Sequence, residues 1–200
     1  MVTTVAAVLT AAALGLTGGS LPDGFLLMEK QAEGPHPKWE HWTVSDSRKK
    51  ALMLDPCDTA YHTGKPAKDK GRHASRTILF TSEYRFKSEQ VVLYRDERAA
   101  RTVMKTLRAD LKRCAKRGKG FSRSRYYSKP LNLGDEAVKV GAREFENGIR
   151  AVAVRRGAAL ILYTESAWPS TKLPAKEFRA LTAKAATMTA KICRLPEARC

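Results

Sequence analysis

Between Asp135 and Thr164 the chain runs through three apolar stretches, 135–141, 149–154 and 159–164, broken by Asn147-Gly148 and by Arg155-Arg156-Gly157. An Asn-Gly pair between apolar runs marks a tight hairpin, because these residues tolerate the positive φ angles that such a turn needs. The three runs are therefore expected to pair as an antiparallel meander. Leu160-Ile161-Leu162-Tyr163 is apolar at successive positions, which places that strand at the centre of a sheet with both faces covered.

The cover comes from two helical patterns. From Asp96 to Lys116, Ala100, Val103, Met104, Leu107, Leu111 and Cys114 recur at three- and four-residue spacing and form one stripe. Asp96 and Glu97 open this helix and Lys112, Arg113, Lys116 and Arg117 close it, an order that suits the helix dipole, and Gly118 ends it. A second helix opens at Pro174, carries Phe178, Leu181, Ala185, Met188 and Ile192 on its buried side, and closes near Cys193. Upstream, Ile78, Phe80, Ser82, Tyr84 and Phe86 alternate with Thr77, Thr81, Glu83, Arg85 and Lys87, the period of a half-buried strand over 77–87, and 90–94 reads as a second short strand. Residues 119–130 read as a basic connection. The sum is an α+β domain, an antiparallel sheet of about five strands with two main helices packed on it.

The chain divides into 1–20, 21–76 and 77–200. Residues 1–20 are uncharged and rich in Ala, Val, Leu, Thr and Gly, as in the core and cleavage region of a signal peptide. The basic segment that precedes such a core is missing, which leaves two readings: a start upstream of Met1, or an uncleaved anchor. No cysteine follows the run, so lipid attachment at a lipobox is not expected. Residues 21–76 are rich in Gly and Pro and read as irregular, with a short helix near 25–30; the α+β core is expected over 77–200. Cys57, Cys114, Cys193 and Cys200 are an even set, which in an exported chain suggests two disulfides with three possible connectivities. The short loop between Cys193 and Cys200 favours their pairing and leaves Cys57 with Cys114. No CxxC or zinc-type cluster is present, so neither a metal nor another cofactor is expected.

Charge sets the expected partners. Lys and Arg total 37 against 20 Asp and Glu, a net +17 with pI near 10.0. Such an excess draws polyanions, and on an exported chain these are wall polymers or anionic lipid rather than nucleic acid. Arg98, Arg101, Lys105, Arg108, Lys112 and Lys116 lie along one side of the first long helix, mostly opposite its apolar stripe, and are the candidate anion-binding residues. Tyr126 and Tyr127, interleaved with Arg and Lys, and Trp39 and Trp42 are candidate ligand-facing aromatics. Motifs for nucleotide binding, zinc hydrolysis and serine nucleophiles are absent, so no catalytic residue is assigned. His36, His41, His62 and His73 all fall in the irregular stretch and read as loop residues. Asp135 and Glu136 are adjacent, so on a strand they would point to opposite faces rather than act as a pair.

An early Cys57, a strand pair, a helix ending at Cys114, Leu133-Gly134-Asp135-Glu136-Ala137, Val154-Arg155-Arg156-Gly157 leading into Leu160-Ile161-Leu162, and a final helix with Cys193 follow one another in order. Over about 53–200 this arrangement resembles the PknH-like extracellular sensor domains of actinobacteria. The resemblance implies an α+β fold with two intramolecular disulfides, carried by Cys57, Cys114, Cys193 and Cys200, and a cleft for a small ligand. It supplies no catalytic residues. The expected function is that of an exported, monomeric, non-catalytic domain of the cell envelope that binds an unknown small ligand. The alternatives are a basic envelope protein held to anionic wall polymer or lipid, and a secreted hydrolase without a recognised motif.

Overall fold

In the computed structural model the described residues are 20–57, 67–144 and 147–200. The leader expected over 1–20 lies outside them except for Ser20, as does His62. An eight-stranded sheet runs in the order β1-β2-β3-β8-β7-β6-β5-β4, antiparallel at every pairing. Its strands are β1 His41–Ser45, β2 Arg72–Thr81, β3 Phe86–Tyr94, β4 Lys116–Arg117, β5 Ser124–Leu131, β6 Glu136–Arg143, β7 Gly148–Arg156 and β8 Ala159–Ser166. The helices are α1 Glu29–Ala32, α2 Glu97–Arg113 and α3 Ala175–Ile192.

Eight strands replace the expected five or so, and the three added ones share a physical cause. β1, β4 and β5 lie at the two ends of the sheet, where little or none of the strand is buried on both faces. β1 leaves His41, Thr43 and Val44 exposed, β4 has only two residues, and β5 mixes buried Ser124 and Tyr126 with exposed Ser128, Lys129 and Pro130. Outer strands carry cations and proline because their free edge must not pair further. That requirement erases the apolar alternation by which inner strands are recognised. The alternation over 77–87 misleads in the opposite sense: it continues through a turn in which the Ser82 N–H donates to the Arg85 carbonyl (2.8 Å), leaving Tyr84 80 % exposed at the tip.

The meander forms as expected, in the order β6-β7-β8, with different turns. Arg143 pairs with Gly148, so Asn147 belongs to a longer connection rather than a two-residue loop. Arg156 pairs with Ala159, and the tight turn is Gly157-Ala158. Gly157 has φ +53°, and a Cβ there would stand 2.1 Å from the Ala198 carbonyl oxygen. Only glycine combines that left-handed backbone with so close an approach by the C-terminal loop.

The two long helices lie on opposite faces of the sheet, so the domain has three layers. α3 packs Phe178, Leu181, Ala185, Met188 and Ile192 with Val152, Val154, Ile161 and Tyr163, and residues 21–28 extend this layer. α2 packs Ala100, Val103, Met104, Leu107 and Leu111 with Val92, Leu160, Leu162, Ala151 and Ala153. β8 thus buries Leu160 and Leu162 on one side and Ile161 and Tyr163 on the other. Each such aliphatic side chain contributes roughly 1.5–3 kcal/mol. Asp96 caps α2, its Oδ1 accepting from the Ala99 N–H (2.7 Å), and the helix ends at Arg113, three residues before the expected Lys116. Lys116 belongs to β4 instead. Disulfides join Cys57 to Cys114 and Cys193 to Cys200.

Candidate ligand-binding groove

The stretch 21–76, expected to be irregular, supplies α1, β1 and the first half of β2, and its middle is fastened to the sheet by buried polar side chains. Gln90, fully buried on β3, accepts from the Met53 N–H through Oε1 (2.9 Å) and donates through Nε2 to the Ala51 carbonyl (3.1 Å) and Thr77 Oγ1 (2.9 Å). Arg72 donates from Nη1 to the Lys50 carbonyl (2.5 Å), and from Nε and Nη2 to both Asp69 oxygens at 2.6 Å. Tyr94 Oη donates to Asp69 Oδ2 (2.7 Å); burial, with the Asp69 charge beside it, raises the phenol well above its ordinary range. Burial lowers the Lys50 ammonium. Asp55 accepts from the Cys57 N–H (3.1 Å) and from Lys68 Nζ (2.7 Å). The Cys57–Cys114 bond then ties the end of this segment to the last turn of α2.

Residues 51–56 and 68–71 are thereby held beside α2 without closing on it. Between them is a groove of about 540 Å³. Leu54, Val103 and Leu107, all nearly fully buried, make its apolar floor, with Leu52 and Ala99 beside them. Exposed Thr102 and Thr106 line it from α2, and Lys70, Arg95 and Arg98 bring cations to the mouth. Its carboxylates are all engaged: Asp55 by Lys68, Asp69 by Arg72 and Tyr94, Asp110 by Arg113 (2.6 Å). Lys70 and Arg98 have no ion-pair partner among the described residues.

No family model and no curated protein matches the sequence. A solved structure does match the fold: the extracellular domain of PknH from Mycobacterium tuberculosis, at a TM-score of 0.52 and 13 % identity, covering 84 % of this chain and 91 % of that one. The fold is PknH-like. At that identity the likeness is one of fold alone.

Within the PknH-like fold the expected site residues fall in several places. Arg98, Arg101, Lys105 and Lys112 stand exposed along α2 as expected. Arg108 instead reaches Glu136 (3.1 Å) and the Ala137 carbonyl (3.3 Å), and Lys116 lies beyond the helix. The aromatics do not converge. Tyr126 is buried under α2, Tyr127 packs towards the α3 layer, Trp42 stacks on His36 and against Phe80, and Trp39 is 67 % exposed before β1. Asp135 and Glu136 are not separated by the sheet. Arg155, buried on β7, binds both, from Nη1 to Asp135 (3.0 Å) and Nε to Glu136 (2.8 Å), because Asp135 precedes the strand and turns towards the Gly157 N–H (2.7 Å). Burial alone would raise the Asp135 carboxyl, but the Gly157 N–H, Arg156 and Arg155 more than offset it and hold it below its ordinary value.

A second polar cluster fastens residues 21–29 to the opposite face. Glu89 on β3 accepts from the N–H groups of Leu27 (3.0 Å) and Met28 (2.7 Å) and from Tyr163 Oη. Burial raises the Glu89 carboxyl; these bonds and the Lys184 charge only partly oppose it. Arg76 beside it binds Glu29 (2.6 Å), Asp23 (2.8 Å) and the Leu21 carbonyl (3.0 Å). Sequence reasoning missed Gln90, Arg72, Arg76 and Glu89. Each is a large polar residue, and such residues are buried only where they are bonded. Only Gln90 fell in a stretch that reads as a strand; Arg72 and Arg76 lie within 21–76 and Glu89 between the two expected strands, so the sequence carried that signal for Gln90 alone. Among the described residues no helix is long and apolar enough to cross a membrane, and no cluster of His, Cys, Asp or Glu has metal-binding geometry.

Proposed function

We propose that this chain is an exported, non-catalytic domain of the bacterial cell envelope that captures a small ligand in the groove between α2 and residues 51–56 and 68–71. The observation that carries this reading is the groove: about 540 Å³, with an apolar floor and walls held by buried hydrogen bonds and a disulfide. Ligand sites of small molecules commonly span about 300–1,000 Å³ and combine apolar lining with a few placed polar groups. Binding is favoured over hydrolysis because each groove carboxylate is committed to a cation, and a general acid–base pair needs carboxyls free to exchange protons with substrate. Two disulfides suit an oxidising compartment, and the fold is that of an extracellular domain.

Thr106→Trp tests this reading, because Thr106 is exposed on α2 and its enlargement fills the groove without entering the core. In a thermal-shift panel of bacterial lipids and metabolites, the groove reading expects compounds that stabilise the parent protein and leave T106W unmoved. Compounds that stabilise both equally would place binding elsewhere. A second reading, adsorption of the exposed α2 cations to anionic wall polymer, expects retention on wall material that collapses with salt and is indifferent to T106W.

A further inference from the structure

The groove continues at its mouth into a shallow depression of about 320 Å³, lined by Glu97, Arg98, Arg101, Thr102 and Lys105. Arg98 and Thr102 line both. One side of this composite surface is therefore apolar and recessed, the other polar and open. In the depression only Glu97 is acidic, and it is already shared between Arg101 (2.5 Å) and Arg155 (3.3 Å). Arg98 and Lys105 have no ion-pair partner among the described residues, nor does Lys70 across the mouth. A neutral ligand would leave this excess of positive charge unanswered, and a cationic one would meet repulsion.

We infer that the ligand is an anionic amphiphile, an acyl chain on the floor of Leu54, Val103 and Leu107 with a carboxylate or phosphate head between Arg98 and Lys105. This rests on the groove being the ligand site and adds the ligand's chemistry. The chain gains by leaving water, at about 25 cal/mol per Å² of apolar surface, and the head by charge-assisted hydrogen bonds from Arg98, whose planar guanidinium matches both head groups. Because the cations sit at the surface, their share is modest and falls with salt.

The test is isothermal titration of the disulfide-intact chain with decanoate, decyl phosphate, neutral monodecanoylglycerol and decyltrimethylammonium, against the parent, T106W and Arg98→Glu/Lys105→Glu. Both altered side chains in the double variant are exposed, so the fold is expected to survive; circular dichroism checks it. The inference expects both anions to bind roughly tenfold tighter than the neutral compound, the cation weakest, and the double variant to lose about tenfold for the anions while the neutral compound is unchanged. Equal binding of neutral and anionic compounds, blocked by T106W, would overturn the inference and leave the groove reading standing. Binding indifferent to T106W would overturn both. A vesicle arm separates the two sources of such a head group. Retention on phosphatidylglycerol vesicles that T106W abolishes supports a membrane phospholipid, binding of the soluble anions alone supports a free acid or monophosphate, and retention that T106W leaves intact overturns insertion of the chain.

Discussion

Removing the Cys57–Cys114 disulfide by C57S/C114S should both destabilise the protein and loosen the groove. The bond spans 57 residues of sequence, so the loop-closure relation gives about 4 kcal/mol of stability from restriction of the unfolded chain. The Cys193–Cys200 bond spans 7 residues, and the same relation gives about 2.5 kcal/mol. The two bonds differ more in what they hold. Cys114 caps α2 at one end of the groove, and Cys57 adjoins Asp55 and Pro56 in its wall. Cys193 and Cys200 close the C-terminal loop, whose Ala198 carbonyl accepts from the Ala158 N–H at the far turn (2.6 Å). Urea unfolding of C57S/C114S should therefore show the larger loss, with binding of groove ligands weakened at temperatures where the fold persists. C193S/C200S should lose less stability and keep its ligand affinity. A loss below about 1 kcal/mol for C57S/C114S, or affinity unchanged in it and reduced in C193S/C200S, would refute the reasoning.

Other perturbations read different parts of the fold. Because burial raises the Glu89 carboxyl, the native state holds this proton more firmly than the unfolded chain; its contribution is greatest below the ordinary Glu value, about 4.3, and declines as pH rises through the raised native one. E89Q should flatten that part of the stability–pH curve, and parallel curves for parent and variant would contradict the assignment. Asp135 has the opposite sign, since its carboxyl is held low in the native state. D135N should be less stable near neutrality, and the gap should close as acid protonates the parent below its native value; a gap that persists in strong acid contradicts it. Gly157→Ala forces a side chain into positive φ and against the Ala198 carbonyl, so a loss of about 2–3 kcal/mol is expected in chemical unfolding. A loss under about 0.5 kcal/mol would mean that the C-terminal loop yields.

What the sequence disclosed follows burial. β8 and both long helices are legible because Leu160, Leu162, Val103, Leu107, Phe178 and Met188 must be apolar to be inside. β1 and β5 are hidden because outer strands bury few side chains, and half of the β5 residues are Ser, Arg or Lys. Arg98, Arg101 and Lys105 were visible as a cationic helical stripe; their place at the mouth of a groove was not. The groove depends on Gln90 meeting Met53 and Ala51, and on Arg72 meeting the Lys50 carbonyl. Local periodicity carries no record of hydrogen bonds between residues so far apart. The aromatics failed as site markers for a related reason: composition suits Tyr126 equally to stacking on a ligand and to the core, and burial under α2 decided for the core.

The most direct measurement of the central claim is a ¹H–¹⁵N correlation spectrum of the disulfide-intact protein titrated with decanoate. Binding in the groove predicts amide shifts concentrated in residues 51–56, 68–71 and 95–110. Shifts confined to α3, β1 or the β2–β3 turn, or shifts that T106W leaves unchanged, would contradict it.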